Sequence, residues 1–283
     1  MEEKKIVAAP KIVMIPIVKP ARTTAHALAQ FPKKYGWRWC PALLHDIFHP
    51  KPSADQIKSI PQSVDLRGKC PEVYNQGNIG SCASNATAAA IQFDQMKQST
   101  SVFMPARLFI YYNARVLNGT PYIDSGTTMH EAIQALLQEG VCPEVEWPYI
   151  ALKLAVTPTP ECYDDAKKCK PAEIKWVEQN QQAITLLLST GYVVLCGIMV
   201  YASFEDPSVT LSGMIPMPQA GEKLKGGHAI VLVGYDIAKR VFIFRNSWGT
   251  IWGDEGYGYI PFDYILDPRL AAEFATITTI KCC

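Results

Sequence analysis

The sequence has no surplus charge of either sign: 27 lysines and arginines stand against 26 aspartates and glutamates. That balance excludes the basic field by which nucleic-acid and anionic-membrane binders gather their partners, so neither is expected here. No apolar run approaches the ~20 residues that a membrane span requires. The most apolar early stretch, Ile12 to Val18, is short, interrupted by Pro16 and followed by no small-residue cleavage site, so neither a signal peptide nor an anchor is expected. No C-x-x-C pair meets a matching Cys or His pair, which argues against a structural zinc site, and no metal ligands are expected. Internal repeats and low-complexity tracts are absent as well.

What is present is a globular composition, 48% hydrophobic and 19% charged, sufficient to bury a core. Nine cysteines, at 40, 70, 82, 142, 162, 169, 196, 282 and 283, give an odd count that permits one functional thiol. Without a signal peptide, bridges among the others are not expected, and Cys282 and Cys283 read as tail thiols. An intracellular or virion-associated monomer is the corresponding expectation.

Residues 1–60 differ from the rest, with seven prolines between Pro10 and Pro52 and little periodicity. They read as an extended arm whose aromatic knot, Tyr35-Gly36-Trp37-Arg38-Trp39, packs on the body, because exposed indoles are costly in water. From Pro61 a globular domain runs to residue 283. Its first half has helical patterns at Cys82–Lys97, Pro105–Val116, Met129–Glu139 (stopped by Gly140) and Asn180–Thr190. Ser81 stands where a cap for the first of these belongs. Strand patterns follow at Val193–Val200, His228–Tyr235, Arg240–Arg245, Gly256–Ile260 and Phe274–Ile280.

Three segments carry chemistry. In the first, QGNIGSC at 76–82, two glycines turn the chain and a cysteine opens an Ala-rich helix. The positive helix end favours a thiolate and offers a backbone N–H to an oxyanion, and Gln76 could add an amide donor. In the second, GGHAIVLVGYD at 226–236, His228 opens an apolar strand. In the third, RNSWGTIWGDEGYGYIP at 245–261, Asn246 can accept from an imidazole N–H while Trp248 shields that bond. Alone, each has a plain structural explanation: a buried thiol, a satisfied histidine, a Gly-rich hairpin. Together they form the set expected for Cys-His-Asn acyl transfer.

These blocks resemble the three signature segments of the papain (cathepsin-type) cysteine peptidase family. YGWR at 35–38, SVDLR at 63–67, FMPARLFIYYNAR at 103–115, Asp124-Ser125-Gly126 and GVCPEVEWPY at 140–149 are similar to a divergent branch in bacteria and large viruses. The resemblance implies an α+β fold: a helical lobe at about 76–180 and an antiparallel β-barrel-like lobe at about 181–280, with the active site in the cleft between them. It further implies peptide-bond hydrolysis through an acyl-enzyme, without metal or organic cofactor, on peptide or protein substrates. By motif position Cys82 is the nucleophile, His228 the acid/base, Asn246 the orienting residue and Gln76 the oxyanion donor. Gly126, Gly227 and Trp248 are the expected substrate contacts, and an endopeptidase is preferred.

Two positions depart from the papain pattern: Ile79 replaces a bridged cysteine, and Ala83 replaces the usual aromatic after the nucleophile. Neither touches a catalytic atom. A catalytically silent binding domain is disfavoured because all four catalytic positions are filled, and a Cys-His-Asp acyltransferase because Asn246 stands third. The arm has two readings, an inhibitory prosegment that restricts access to the cleft or a permanent strap.

Overall fold

A computed structural model describes residues 35–40 and 48–282; the Ile12–Val18 stretch, most of the arm and Cys283 lie outside them. The first described helix is short, α1 (Ala54–Lys58), and its Ser53–Gln56 capping box satisfies the first-turn amides. The strand β1 (Ser63–Asp65) follows.

The central helix α2 (Cys82–Gln98) has buried residues on every side, as its alanine-rich sequence allows, and ends at Ser99 in a left-handed conformation. Against it pack α3 (Arg107–Leu117), buried on every side from Arg107 to Arg115, and α4 (Met129–Glu139), buried along one face. A Thr128–Glu131 capping box starts α4 and Gly140, at φ +79°, stops it. Short α5 (Pro160–Ala166) closes this lobe, and a second small apolar cluster that includes Ile79, Phe109, Trp147 and Cys162 forms its interior.

The strands are β2 (Cys169–Trp176), β3 (Val194–Tyr201), β4 (Leu224–Asp236), β5 (Val241–Arg245), β6 (Tyr257–Pro261) and β7 (Ala271–Cys282). They pair in the order β2-β7-β3-β4-β5-β6, with β1 added to β4. Every pairing is antiparallel. The sheet does not close on itself, and the helices α6 (Gln181–Ser189, capped by Asn180), α7 (Pro207–Ser212) and α8 (Phe262–Leu266) complete its lobe. The main core spans the junction, joining Ala86, Ala90 and Ile91 of α2 to Val231, Phe244 and Ile277 of the sheet. This is the expected two-lobed α+β architecture. No helix among the described residues is long and apolar enough to cross a membrane.

Four local expectations need correction. Ser81 makes no side-chain cap; its hydroxyl instead bonds the Tyr149 hydroxyl and the Asn85 amide, because the turn aims it sideways into the lobe. His228 lies inside β4, which begins at Leu224, since β3 pairs with the polar run before it. The strand β2, within the span assigned to the helical lobe, forms the sheet edge; its Lys, Pro and Glu residues suit an edge and hide it from an apolar-pattern search. Finally, Cys169 and Cys282 are joined in a disulfide linking β2 to β7, so Cys282 is not a tail thiol.

Candidate active site

The loop leading into α2 is held from three directions. Tyr149 donates to the Gln76 carbonyl at 2.9 Å and meets Ser81 Oγ at 2.6 Å. Arg107, buried and paired with Glu144 at 2.6 Å, stacks on Tyr149 and donates to Asn85 Oδ1 at 3.0 Å. Arg245 reaches from β5 to the carbonyls of Pro71 and Glu72. Arg245 thereby satisfies carbonyls that the irregular loop would leave unpaired, and Arg107 satisfies a buried amide oxygen in the first turn of α2.

The loop is also tied to the third motif. Gln76 N–H donates to the Ser247 carbonyl at 2.8 Å and Gly249 N–H to the Tyr74 carbonyl at 2.9 Å. The Gln76 side chain, fully buried, accepts from Ser247 Oγ at 2.6 Å and donates through Nε2 to the Ile79 carbonyl at 2.9 Å, which fixes its amide orientation.

Cys82 is the first residue of α2 and is fully buried. Its sulfur has polar backbone contacts with Ala229, Gly36, Ala83 and Trp37, so it meets β4 one residue beyond His228. Burial pushes its thiol above the ordinary range, partly offset by those backbone groups. His228 Nε2 lies 2.8 Å from Asn246 Oδ1, and that same oxygen accepts from Ser247 N–H at 2.8 Å. An oxygen that accepts twice assigns the Nε2–H tautomer to the neutral imidazole, leaving Nδ1 as its basic nitrogen. Trp248 stacks on the ring at 4.6 Å between centroids and excludes water from the His–Asn bond.

The cleft is not empty. Residues 35–38 of the arm run through it, forming a bridge between Trp37 and Thr127 with Thr127 N–H to Gly36 O at 2.8 Å and Arg38 N–H to Thr127 O at 3.0 Å. Trp37 N–H donates to the Gly227 carbonyl at 3.0 Å. The fit requires glycine where the chains cross: a Cβ on Gly36 would lie 1.9 Å from the Gly80 carbonyl oxygen, and one on Gly126 2.1 Å from that of Gly36. Tyr35 packs edge-on to both His228 and Trp248 and donates to Glu205 at 2.5 Å; Arg38 pairs with Glu131 at 2.6 Å.

Trp37 itself is 4% exposed and fills a side pocket. Its ring lies on Gly197, where a Cβ would come within 1.9 Å of it, and its Nε1 donates to Glu273 Oε2 at 2.6 Å. Glu273 also accepts the first amides of α4, from Met129 at 3.1 Å and His130 at 3.0 Å. Three N–H donors and a positive helix end hold this buried carboxylate in place.

The structure thus brings Cys82, His228, Asn246 and Gln76 into one centre. Gly126, Gly227 and Trp248 line the channel that the arm traverses. Sequence reasoning gave Gly197 no role and could assign no substrate preference to the stretch around Glu273. The available signal was a lone acid in the apolar run Ala271–Ala275; its φ of +57° arises where the β3–β7 register shifts.

Comparison with known proteins identifies the family and the fold. The papain family cysteine protease profile matches residues 60–264. An uncharacterised peptidase C1-like protein of Acanthamoeba polyphaga mimivirus is 37% identical over 235 residues, 80% of this chain and 75% of that protein. Xylellain, a cysteine protease from Xylella fastidiosa, superposes with a TM-score of 0.81 at 37% identity, over 88% of this chain and 96% of xylellain. Digestive procathepsin L 3 of Tenebrio molitor shares the fold, with a TM-score of 0.61 at 18% identity over 90% of this chain and 78% of that one. The chain spans 56–63% of the length of four further curated relatives at 27–30% identity.

Proposed function

This chain belongs to the papain family of cysteine proteases, and on that premise we propose that it is a cysteine endopeptidase held latent by its own N-terminal arm. The observation that carries the catalytic assignment is the 2.8 Å bond fixing His228 to Asn246 beside a cysteine that opens α2. His228 Nδ1 takes the Cys82 proton, and the sulfur attacks the peptide carbonyl carbon. The resulting oxyanion is held by the Cys82 backbone N–H and the second hydrogen of Gln76 Nε2, both fixed before substrate arrives. The imidazolium then gives its proton to the leaving amine as the C–N bond breaks, which leaves a thioester on Cys82. His228 next takes a proton from water, the hydroxide cleaves the thioester, and the acid product leaves. Asn246 keeps the ring in register throughout.

The endopeptidase reading is supported by how the arm lies: chain continues on both sides of Trp37, so the channel accommodates an internal segment of polypeptide. Gly126 and Gly227 would serve substrate backbone as they serve Gly36 and Trp37, and Trp248 would wall the centre. Latency follows because Gly36 and Trp37 occupy the space beside Cys82 that a scissile peptide needs.

To test this, the arm is trimmed by limited proteolysis and the protein treated with an epoxide that alkylates activated thiols. A single adduct on Cys82, absent in Cys82→Ala, together with cleavage of an internally quenched peptide blocked at both ends, is expected. Absence of labelling after trimming overturns the catalytic assignment; labelling without cleavage of the blocked peptide overturns the endopeptidase assignment.

A further inference from the structure

Behind Trp37 three metal-binding side chains converge from distant parts of the sequence: Cys40 on the arm, His130 in the first turn of α4 and Glu273 at the bulge of β7. One ligand atom from each lies within 4.8 Å of the others, and His130 Nδ1 is 3.7 Å from Glu273 Oε1. Ligand atoms around a tetrahedral zinc ion, at ~2.0–2.3 Å from the metal, are roughly 3.4–3.6 Å apart. The three therefore need to close by only about an ångström.

We propose that Cys40, His130 and Glu273 bind a zinc-class divalent ion that clips the arm to the body. The donor set, one thiolate, one imidazole and one carboxylate, suits a borderline-soft tetrahedral ion and not calcium or magnesium, which take oxygen ligands. Two of the three ligands are already oriented. Glu273 Oε2 is engaged by Trp37 and the Met129 amide, which turns Oε1 toward His130. The His130 ring is held flat against Trp176 at 4.1 Å. Such outer contacts fix ligand geometry ahead of the metal. A cavity of about 280 Å³, lined by all three residues and by Trp39, Trp176 and Phe274, leaves room for water as the fourth ligand. On binding, Cys40 gives its thiol proton to solvent, neutral His130 binds through Nδ1, and Glu273 binds as the carboxylate. Spacing rules miss the site because its donors stand 90 and 143 residues apart (130 − 40 and 273 − 130).

Metal binding itself stands on this geometry alone; its consequence, tighter latency, rests on the reading that the arm blocks the cleft. The test uses the full-length Cys82→Ser protein, which removes the catalytic thiol as a competing ligand and prevents self-cleavage. Titration with zinc chloride by calorimetry is expected to give one equivalent, and cobalt(II) a sulfur-to-metal charge-transfer band. Adding Cys40→Ser is expected to abolish the band, and Cys40→Ser or His130→Gln each to weaken zinc at least about tenfold, with near-ultraviolet circular dichroism reporting that the fold persists. Zinc is also expected to slow cleavage of the arm by trypsin in Cys82→Ser and not in the Cys40→Ser/Cys82→Ser protein. No saturable binding, or binding indifferent to both substitutions, overturns the site. Zinc binding with no gain of activity in Trp37→Ala overturns the latency reading and leaves the site standing, and the reverse pair of results does the opposite.

Discussion

The proposed catalytic centre and the side pocket next to it are built on different plans. Cys82, His228 and Asn246 each stand within a short contiguous segment whose neighbours serve the same residue: Gln76 before the cysteine, Gly227 beside the histidine, Trp248 after the asparagine. The pocket around Trp37 has no such segment. Gly197 comes from β3, Glu273 from β7 and the amides of Met129 and His130 from α4. Chemistry at a bond needs groups placed to a fraction of an ångström, and local sequence supplies that placement. A pocket needs only walls, and walls are supplied by how strands and helices meet.

The comparison is strained most by removing a donor from the catalytic side. Gln76→Ala is expected to lower kcat about 10²–10³-fold with little change in KM, the size of effect seen when one preorganised oxyanion donor is lost. Because Gln76 also holds Ser247 and the Ile79 carbonyl, the melting temperature must be followed in parallel. An unchanged kcat with a lowered melting temperature would make Gln76 a loop strut and nothing more.

On the pocket side the expected sign reverses. Trp37→Ala removes a buried indole, a change that costs about 3–5 kcal/mol where the ring is fully packed. Since ~1.4 kcal/mol is tenfold, losing even half of that from the arm-docked state raises the open fraction at least about tenfold. Peptidase activity of the full-length protein, in chelator-treated buffer, is expected to rise accordingly. The same variant is expected to shift Cys82 titration. With the arm docked, burial raises the thiol above its ordinary range, so the docked state is favoured at low pH and loses stability as pH climbs through the raised value. Alkylation of Cys82 should therefore reach half-maximal rate at lower pH in Trp37→Ala than in the unaltered chain; coincident profiles would show that the arm does not govern the thiol.

The same contrast explains what the sequence disclosed. The helices α2 and α4 were legible because of an alanine-rich pattern running to Lys97 and a one-faced apolar pattern stopped at Gly140, and β5 and β6 because most of their residues are buried and of strand-forming type. The three side chains proposed as catalytic could be singled out because the neighbours of each are contiguous with it. The strand β2 was not, being a polar edge strand, and the true start of β4 was not, because Lys225, Gly226 and Gly227 carry no strand signal and are extended only by pairing to β3. Glu273 was hidden for a related reason. Its significance lies in a bulge and in the amides of a helix 143 residues away (273 − 130), neither of which any local pattern records.

Glu273 gives the smallest effect and the finest test. Its carboxylate accepts from Trp37 and from two amides of α4, so Glu273→Gln keeps the shape while removing the charge and turning an NH₂ group toward one set of donors. A hydrogen bond to a charged group contributes about 1.5–3 kcal/mol, but a neutral acceptor retains part of it. The expected result is a several-fold gain in activity of the metal-free full-length protein, clearly below that of Trp37→Ala, because the indole's packing on Gly197 survives. With the arm removed, the substitution leaves Cys82, His228 and Asn246 untouched, so kcat toward a peptide of small apolar side chains should hold steady while KM responds to side chains bearing a donor at the tip. If kcat falls instead, the carboxylate is acting on the catalytic centre through α4, and the separation between the two regions fails at the residue where they come closest.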